Sequence, residues 1–149
     1  MYNDVKTEEI DIAMQEAWKA FHEYRKCTLQ QRANFMRAIA KEIENLGDEL
    51  LITAGKETNL PEARLRNERA RTMYQHTSYA DACEKGDWLE ARINTAVNDV
   101  APPKPDIRKM LVPLGPVVVF GAANFPFAYS TAGGDTASAF AAGCPVIVK

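Results

Sequence analysis

Cysteine and histidine are scarce, at three and two residues in a chain of 149. Cys27, Cys83 and Cys144 form no C-x-x-C pair, and an odd count without such a pair fits reduced, mostly buried thiols rather than a disulfide framework. His22 and Cys27 are five apart and His76 and Cys83 seven apart, neither a usual ligand spacing, so no metal site is expected. Charge of one sign is also lacking. With 18 Lys+Arg against 20 Asp+Glu, no strong field favours nucleic acid or an acidic membrane surface. No apolar run approaches the roughly 18 residues that suggest a membrane span. The start, MYNDVKTEEIDIA, lacks the basic residues and apolar stretch of a signal peptide. These absences point to a cytoplasmic protein with neither a nucleic-acid nor a membrane partner. Internal repeats, GxGxxG and GxxxxGK[ST] are missing too, so neither a solenoid nor a standard phosphate-binding loop is signalled.

What is present is a helical first half and an apolar end. Hydrophobic residues make up 46% of the chain, enough for the core of one ordinary domain. From Thr7 to about Lys26, Ile10, Met14, Ala17, Trp18 and Phe21 recur at helical spacing and predict one amphipathic face. Thr28 and Gln31 form a capping box that starts a second helix with the stripe Phe35, Ile39, Ile43 and Leu46. Gly47 ends or bends it, and Asp48 is expected to cap a short helix carrying Leu50, Leu51 and Ala54. A long helix follows, from about Pro61 to Glu84. Residues 1–86 thus form a helical segment. Residues 87–114 carry two extended stretches, DWLEARIN and DIRKMLVPL, separated by APPKP.

Residues 115–149 change character. PVVVF and PVIVK are continuous apolar runs, as parallel strands covered on both faces require, and a helix over 128–142 would make the crossover between them. The fold class is therefore α/β, a helical layer leading into the first strand–helix–strand unit of a Rossmann-like parallel sheet. Two parallel strands alone leave edges unpaired and faces bare, so the chain reads as an incomplete piece of a larger fold. In the turn FGAANFP, the small residues Gly121, Ala122 and Ala123 would let a flat ligand lie against the strand end. The small-residue helix either approaches such a ligand or merely packs. Asn124 either satisfies its own turn or presents an amide donor to a developing oxyanion.

The end segment GPVVVFGAANFPFAYSTAGGDTASAFAAGCPVIVK resembles the start of the cofactor domain of the aldehyde dehydrogenase superfamily. ETNLPEARLRNERARTMYQ followed by PDIRKMLVPLGPVVVFGAANFP is similar to the branch that oxidises 2-oxoglutarate semialdehyde. The resemblance implies an NAD- or NADP-dependent enzyme acting on a small carboxylated aldehyde, with the full-length protein a dimer or tetramer. It implies that Asn124 stabilises the thiohemiacetal oxyanion and that Lys149 hydrogen-bonds the adenosine ribose. Phe120, Gly121, Ala122 and Ala123 would line the cofactor crevice, while Phe125 and Tyr129 would face the substrate tunnel. Many relatives have tryptophan where this chain has Ala123, although this branch carries a small residue there. The family's nucleophilic cysteine and general-base glutamate match nothing here, so the 149 residues read as the first third of a family member, inactive alone. A short non-catalytic interaction protein and a cofactor-binding remnant are the alternatives.

The helix from Pro61 carries Arg64, Arg66, Arg69 and Arg71. Glu62–Arg66 and Arg64–Glu68 have ion-pair spacing, the pattern of a solvated face. Leu65, Arg69, Thr72, His76, Tyr79 and Cys83 fall on one stripe, which puts an arginine in a pocket wall. In the resembling family this helix borders the substrate tunnel, so Arg69, or failing that Arg71, is expected to pair with the substrate carboxylate. His76 is expected to be a packing residue rather than an acid–base group.

Overall fold

Helix α1, Thr7–Tyr24, opens the computed structural model, which describes residues 4–149. Only part of its expected face is covered. Ala17 and Phe21 are buried, whereas Ile10, Met14 and Trp18 remain 51%, 42% and 50% exposed. Helix α2, Leu29–Asn45, begins at the capping box read from the sequence. The Thr28 hydroxyl accepts from the Gln31 amide at 3.2 Å, and the Thr28 amide donates to the Gln31 side chain at 2.8 Å.

The α2 core face differs from the expected stripe. Ala33, Met36, Ala40 and Ile43 are buried, while Phe35 and Leu46 are exposed and Ile39 is half-buried. The reason is helix approach. Alanines at 33 and 40 leave room for the neighbouring helix, and Phe35 packs at the flank, its ring 5.2 Å from that of Phe140.

Gly47, at φ +61, bends the chain directly into helix α3, Gly47–Thr58. Leu46 occupies the cap position, so Asp48 does not cap the helix but sits in its first turn. Leu51 and Ala54 are buried and Leu50 is half-buried. Asn59 closes α3 in the left-handed conformation, and Pro61 caps helix α4, Glu62–Lys85. Helix α4 is the spine of the molecule. It packs on α2 through Ala80 and Cys83 against Ala33 and Met36, and on α3 through Leu65 against Leu51 and Ala54.

After a single 3-10 turn at Asp87–Leu89, strands β1, Arg92–Asn94, and β2, Ile107–Lys109, pair antiparallel. A bridge between Val97 and Lys104 extends this ribbon, and every residue of both strands is exposed. Strands β3, Val117–Val119, and β4, Val146–Val148, pair in parallel with Val118 opposite Ile147. The ladder continues past both strands, since the Lys149 amide donates to Val119 and the Gly121 amide to Lys149. Cover on both faces was expected, yet Val118 and Phe120 are 44% and 68% exposed, while Val119 is buried.

The crossover helix α5 is Gly134–Ala142, six residues shorter than the expected span. Residues 123–132 form successive turns instead. The Tyr129 carbonyl accepts from Ala122 at 2.7 Å, and the Ala128 carbonyl accepts from Gly134 at 3.0 Å. Gly133 sits so close to that Ala128 carbonyl that any Cβ would overlap it. At the other end of α5, Gly143 takes φ +87 beside the buried Arg32 guanidinium, in space a Cβ would occupy.

Candidate active site

Parallel strands expose their carboxyl edge as a place where ligands meet main-chain groups. Here that edge carries Phe120, Gly121, Ala123, Asn124 and Lys149, all exposed, with Ala122, Phe125 and Tyr129 half-buried behind them. Because the Gly121 amide donates to the Lys149 carbonyl, the two strand ends lie side by side. The loop amides are taken up within the molecule, Phe125 and Tyr129 by turn carbonyls and Phe127 and Ala128 by Glu68, so this edge is built from loop and strand ends.

Glu68 anchors the loop. Its carboxylate, on the buried face of α4, accepts from the amides of Phe127 at 2.8 Å and Ala128 at 3.0 Å through one oxygen. Its second oxygen is buried and unpartnered among the described residues. The sequence reading had paired Glu68 with Arg64 on a solvated face. The unpaired loop amides compete for the carboxylate and win, because a buried amide without an acceptor is costly. A signal was available: glutamate one turn after Leu65 and one turn before Thr72 lies on the apolar stripe.

Arg64 turns to the loop instead, donating to the Asn124 carbonyl with its guanidinium 5.2 Å from the Phe125 ring centroid. Thus the main chain of Asn124 is held, while its side-chain amide has no hydrogen-bond partner among the described residues. Phe125 and Tyr129 meet edge-on at 5.4 Å. Arg71 lies 5.3 Å from the Tyr129 ring and donates to its hydroxyl at 2.9 Å.

Arg69 does not join this group. It donates to the Gly47 carbonyl and lies 3.9 Å from Asp48, tying the start of α3 to α4. That contact ties the Arg69 side chain to the start of α3, whereas Arg64 and Arg71 contact the Asn124 loop. His76 is fully buried, with Nε2 2.8 Å from the Ala132 carbonyl and Nδ1 unpartnered among the described residues. Burial lowers its pKa, and the Ala132 contact opposes that only in part, so the neutral ring is favoured. On the expected α4 stripe, Leu65, Thr72, His76 and Cys83 are buried, with Glu68 and Ala80 where Arg69 and Tyr79 were placed.

The thiols are free. Cys83 and Cys144 are buried and Cys27 is half-buried. Burial pushes the Cys83 thiol up, and its sulfur faces the Ala141 carbonyl at 3.4 Å, so it is a poor nucleophile. Among the described residues no cluster of three His, Cys, Asp or Glu could hold a metal ion, and no helix is long and apolar enough to cross a membrane.

The profile of the aldehyde dehydrogenase family matches residues 1–149. The chain belongs to this family. It is 46% identical over its whole length to the alpha-ketoglutaric semialdehyde dehydrogenase of Acinetobacter baylyi, covering 28% of that protein. It is 52% identical over 142 residues to alpha-ketoglutaric semialdehyde dehydrogenase 2 of Azospirillum brasilense, which spans 95% of this chain and 27% of that protein. The chain therefore spans just over a quarter of these dehydrogenases, somewhat less than the third read from the sequence. In fold it is similar to aldehyde dehydrogenase 21 from Physcomitrella patens, solved with the reaction product succinate. That match has TM-score 0.79 at 22% identity, over 97% of this chain and 29% of the other. It is also similar to an NAD-dependent benzaldehyde dehydrogenase from Corynebacterium glutamicum, with TM-score 0.75 at 21% identity, over 95% and 29% of the two chains. For an aldehyde dehydrogenase, then, this chain contributes the α4 spine, the Asn124 loop and one edge of a parallel sheet.

Proposed function

We propose that the whole polypeptide carrying these residues oxidises a carboxylated aldehyde, 2-oxoglutarate semialdehyde, to 2-oxoglutarate with NAD or NADP, working as a homo-oligomer. The names of its two close relatives support the substrate. The observation that carries the chemistry is Asn124: an exposed amide at the carboxyl edge of two parallel strands, on a loop fixed by Arg64 and Glu68. A donor held in advance stabilises the negative charge that develops on a carbonyl oxygen under nucleophilic attack.

The strand edge fits a nucleotide cofactor. Phe120 to Ala123 offer an open, nearly side-chain-free backbone, and Lys149 brings an exposed ammonium to the neighbouring strand end. When bound, the nicotinamide supplies the hydride acceptor. Phe125 and Tyr129 form the adjoining aromatic wall and exclude water from one side of the aldehyde. The attacking thiol and the base that activates water belong to residues outside this chain. Buried Cys83 and Cys144 are poor candidates, and the 149 residues alone are expected to be inactive.

The test is Asn124→Ala in the whole polypeptide. Turnover should fall about 10²–10³-fold while cofactor affinity stays near that of the parent. Turnover within about threefold of the parent would remove Asn124 from the mechanism.

A further inference from the structure

Both polar groups of the peptide unit that follows Asn124 are held. Residues 122–125 form a tight turn in which the Phe125 amide donates to the Ala122 carbonyl at 3.2 Å. At the other end of the same peptide unit, the Asn124 carbonyl accepts from the Arg64 guanidinium. That guanidinium also lies over the Phe125 ring, 5.2 Å from its centroid. The turn is tied to the rest of the loop as well. The Ala122 amide donates to the Tyr129 carbonyl at 2.7 Å, and Glu68 holds the Phe127 and Ala128 amides.

A peptide unit is planar, so engaging its N–H and its C=O together fixes the rotation of the whole plane. The backbone of Asn124 is thereby set, and only its side-chain torsions stay free to aim the amide. The bond to Ala122 is local and moves with the turn. Arg64 is different, because it ties the main chain of Asn124 to the spine helix α4. Glutamate four residues on does not divert it, since the Glu68 carboxylate turns inward to the loop amides. One exposed hydrogen bond to a carbonyl adds little to stability. A displacement of about 1 Å at a reacting centre can slow a reaction about 10²-fold. The contact therefore weighs on rate far more than on folding.

We propose that Arg64 is a positioning residue, which holds the main chain of Asn124 so that its amide meets the developing oxyanion. The role rests on the oxyanion reading of Asn124 above and extends it to a second residue. It requires no contact between Arg64 and the substrate.

The experiment is a double-mutant cycle in the whole polypeptide with 2-oxoglutarate semialdehyde as substrate, using Arg64→Met, Asn124→Ala and the pair. Arg64→Met should lower kcat about 10- to 100-fold, leave KM within about threefold and move the melting temperature by about 5 °C or less. In the Asn124→Ala background the same change should cost less than about threefold, because the group it positions is gone. Arg64→Lys keeps a donor and should turn over at least about threefold faster than Arg64→Met. Should Arg64→Met not fold, Arg64→Gln, too short to reach the carbonyl, takes its place in the cycle. A kcat within about threefold of the parent, a loss confined to KM, or an equal loss in both backgrounds would each overturn the positioning role while leaving Asn124 in the mechanism. If Asn124→Ala itself leaves turnover unchanged, the oxyanion reading fails and the role of Arg64 with it.

Discussion

Glu68 shows how one side chain can set the position of a loop residue it does not touch. Its oxygen gathers two consecutive loop amides, three and four residues after Asn124. Glu68→Ala would strand both, and each unsatisfied buried donor costs about 1–3 kcal/mol. Hydrogen exchange at the Phe127 and Ala128 amides should accelerate at least tenfold, with a smaller effect for Glu68→Gln, which keeps one acceptor oxygen. His76 is a second buried polar residue with a measurable signature. Burial depresses its folded-state pKa, so its contribution to stability is complete above the unfolded value near 6.5 and is lost as pH falls toward the depressed one. Stability should decline below about pH 6.5 by no more than about 1.4 kcal/mol per pH unit from this group, and His76→Gln should remove that part of the slope. Urea unfolding at several pH values measures it.

Elements were legible where a local rule decides them. The capping box at Thr28 and the bend at Gly47 are local backbone chemistry, and α2 and α4 begin and end within a residue or two of the expected places. Thr28→Ala should lower stability by about 1 kcal/mol, seen as a reduced melting temperature. What was not legible depended on partners distant in sequence. The α2 face is set by how closely α4 can approach, and the α5 start by the loop's turns and the Gly133–Ala128 contact. At the site, the loop was readable as a loop, and Asn124 as one of two kinds of residue. Which arginine faces it was not readable, because Arg64, Arg66, Arg69 and Arg71 look alike until Gly47, Asp48, Phe125 and Tyr129 are placed around them. Gly143→Ala combines a left-handed φ with overlap on the Arg32 guanidinium, so it should cost more than the roughly 1 kcal/mol of a simple glycine replacement.

At the scale of the molecule, the apolar groove lined by Val112, Leu114, Val118 and Phe120 is the conspicuous feature, with Leu114 96% exposed. Contiguous apolar surface of this kind is uncommon on proteins that act as monomers. The 149 residues in isolation should bind a hydrophobic dye and associate as concentration rises, and Leu114→Lys should weaken both effects in dye-binding and sedimentation assays. They should bind NAD and NADP weakly or not at all by calorimetry, since two strands offer only one side of a crevice.

The tether between Glu68 and the loop has a consequence for how this scaffold can change. The helix that carries the carboxylate is also the one on which α2, α3 and α5 are stacked, so a repacked interior shifts the Asn124 loop along with it. Substitutions deep among Met36, Leu65 and Cys83 should therefore appear first in turnover and only later in melting, and thermal robustness cannot be tuned there independently of rate.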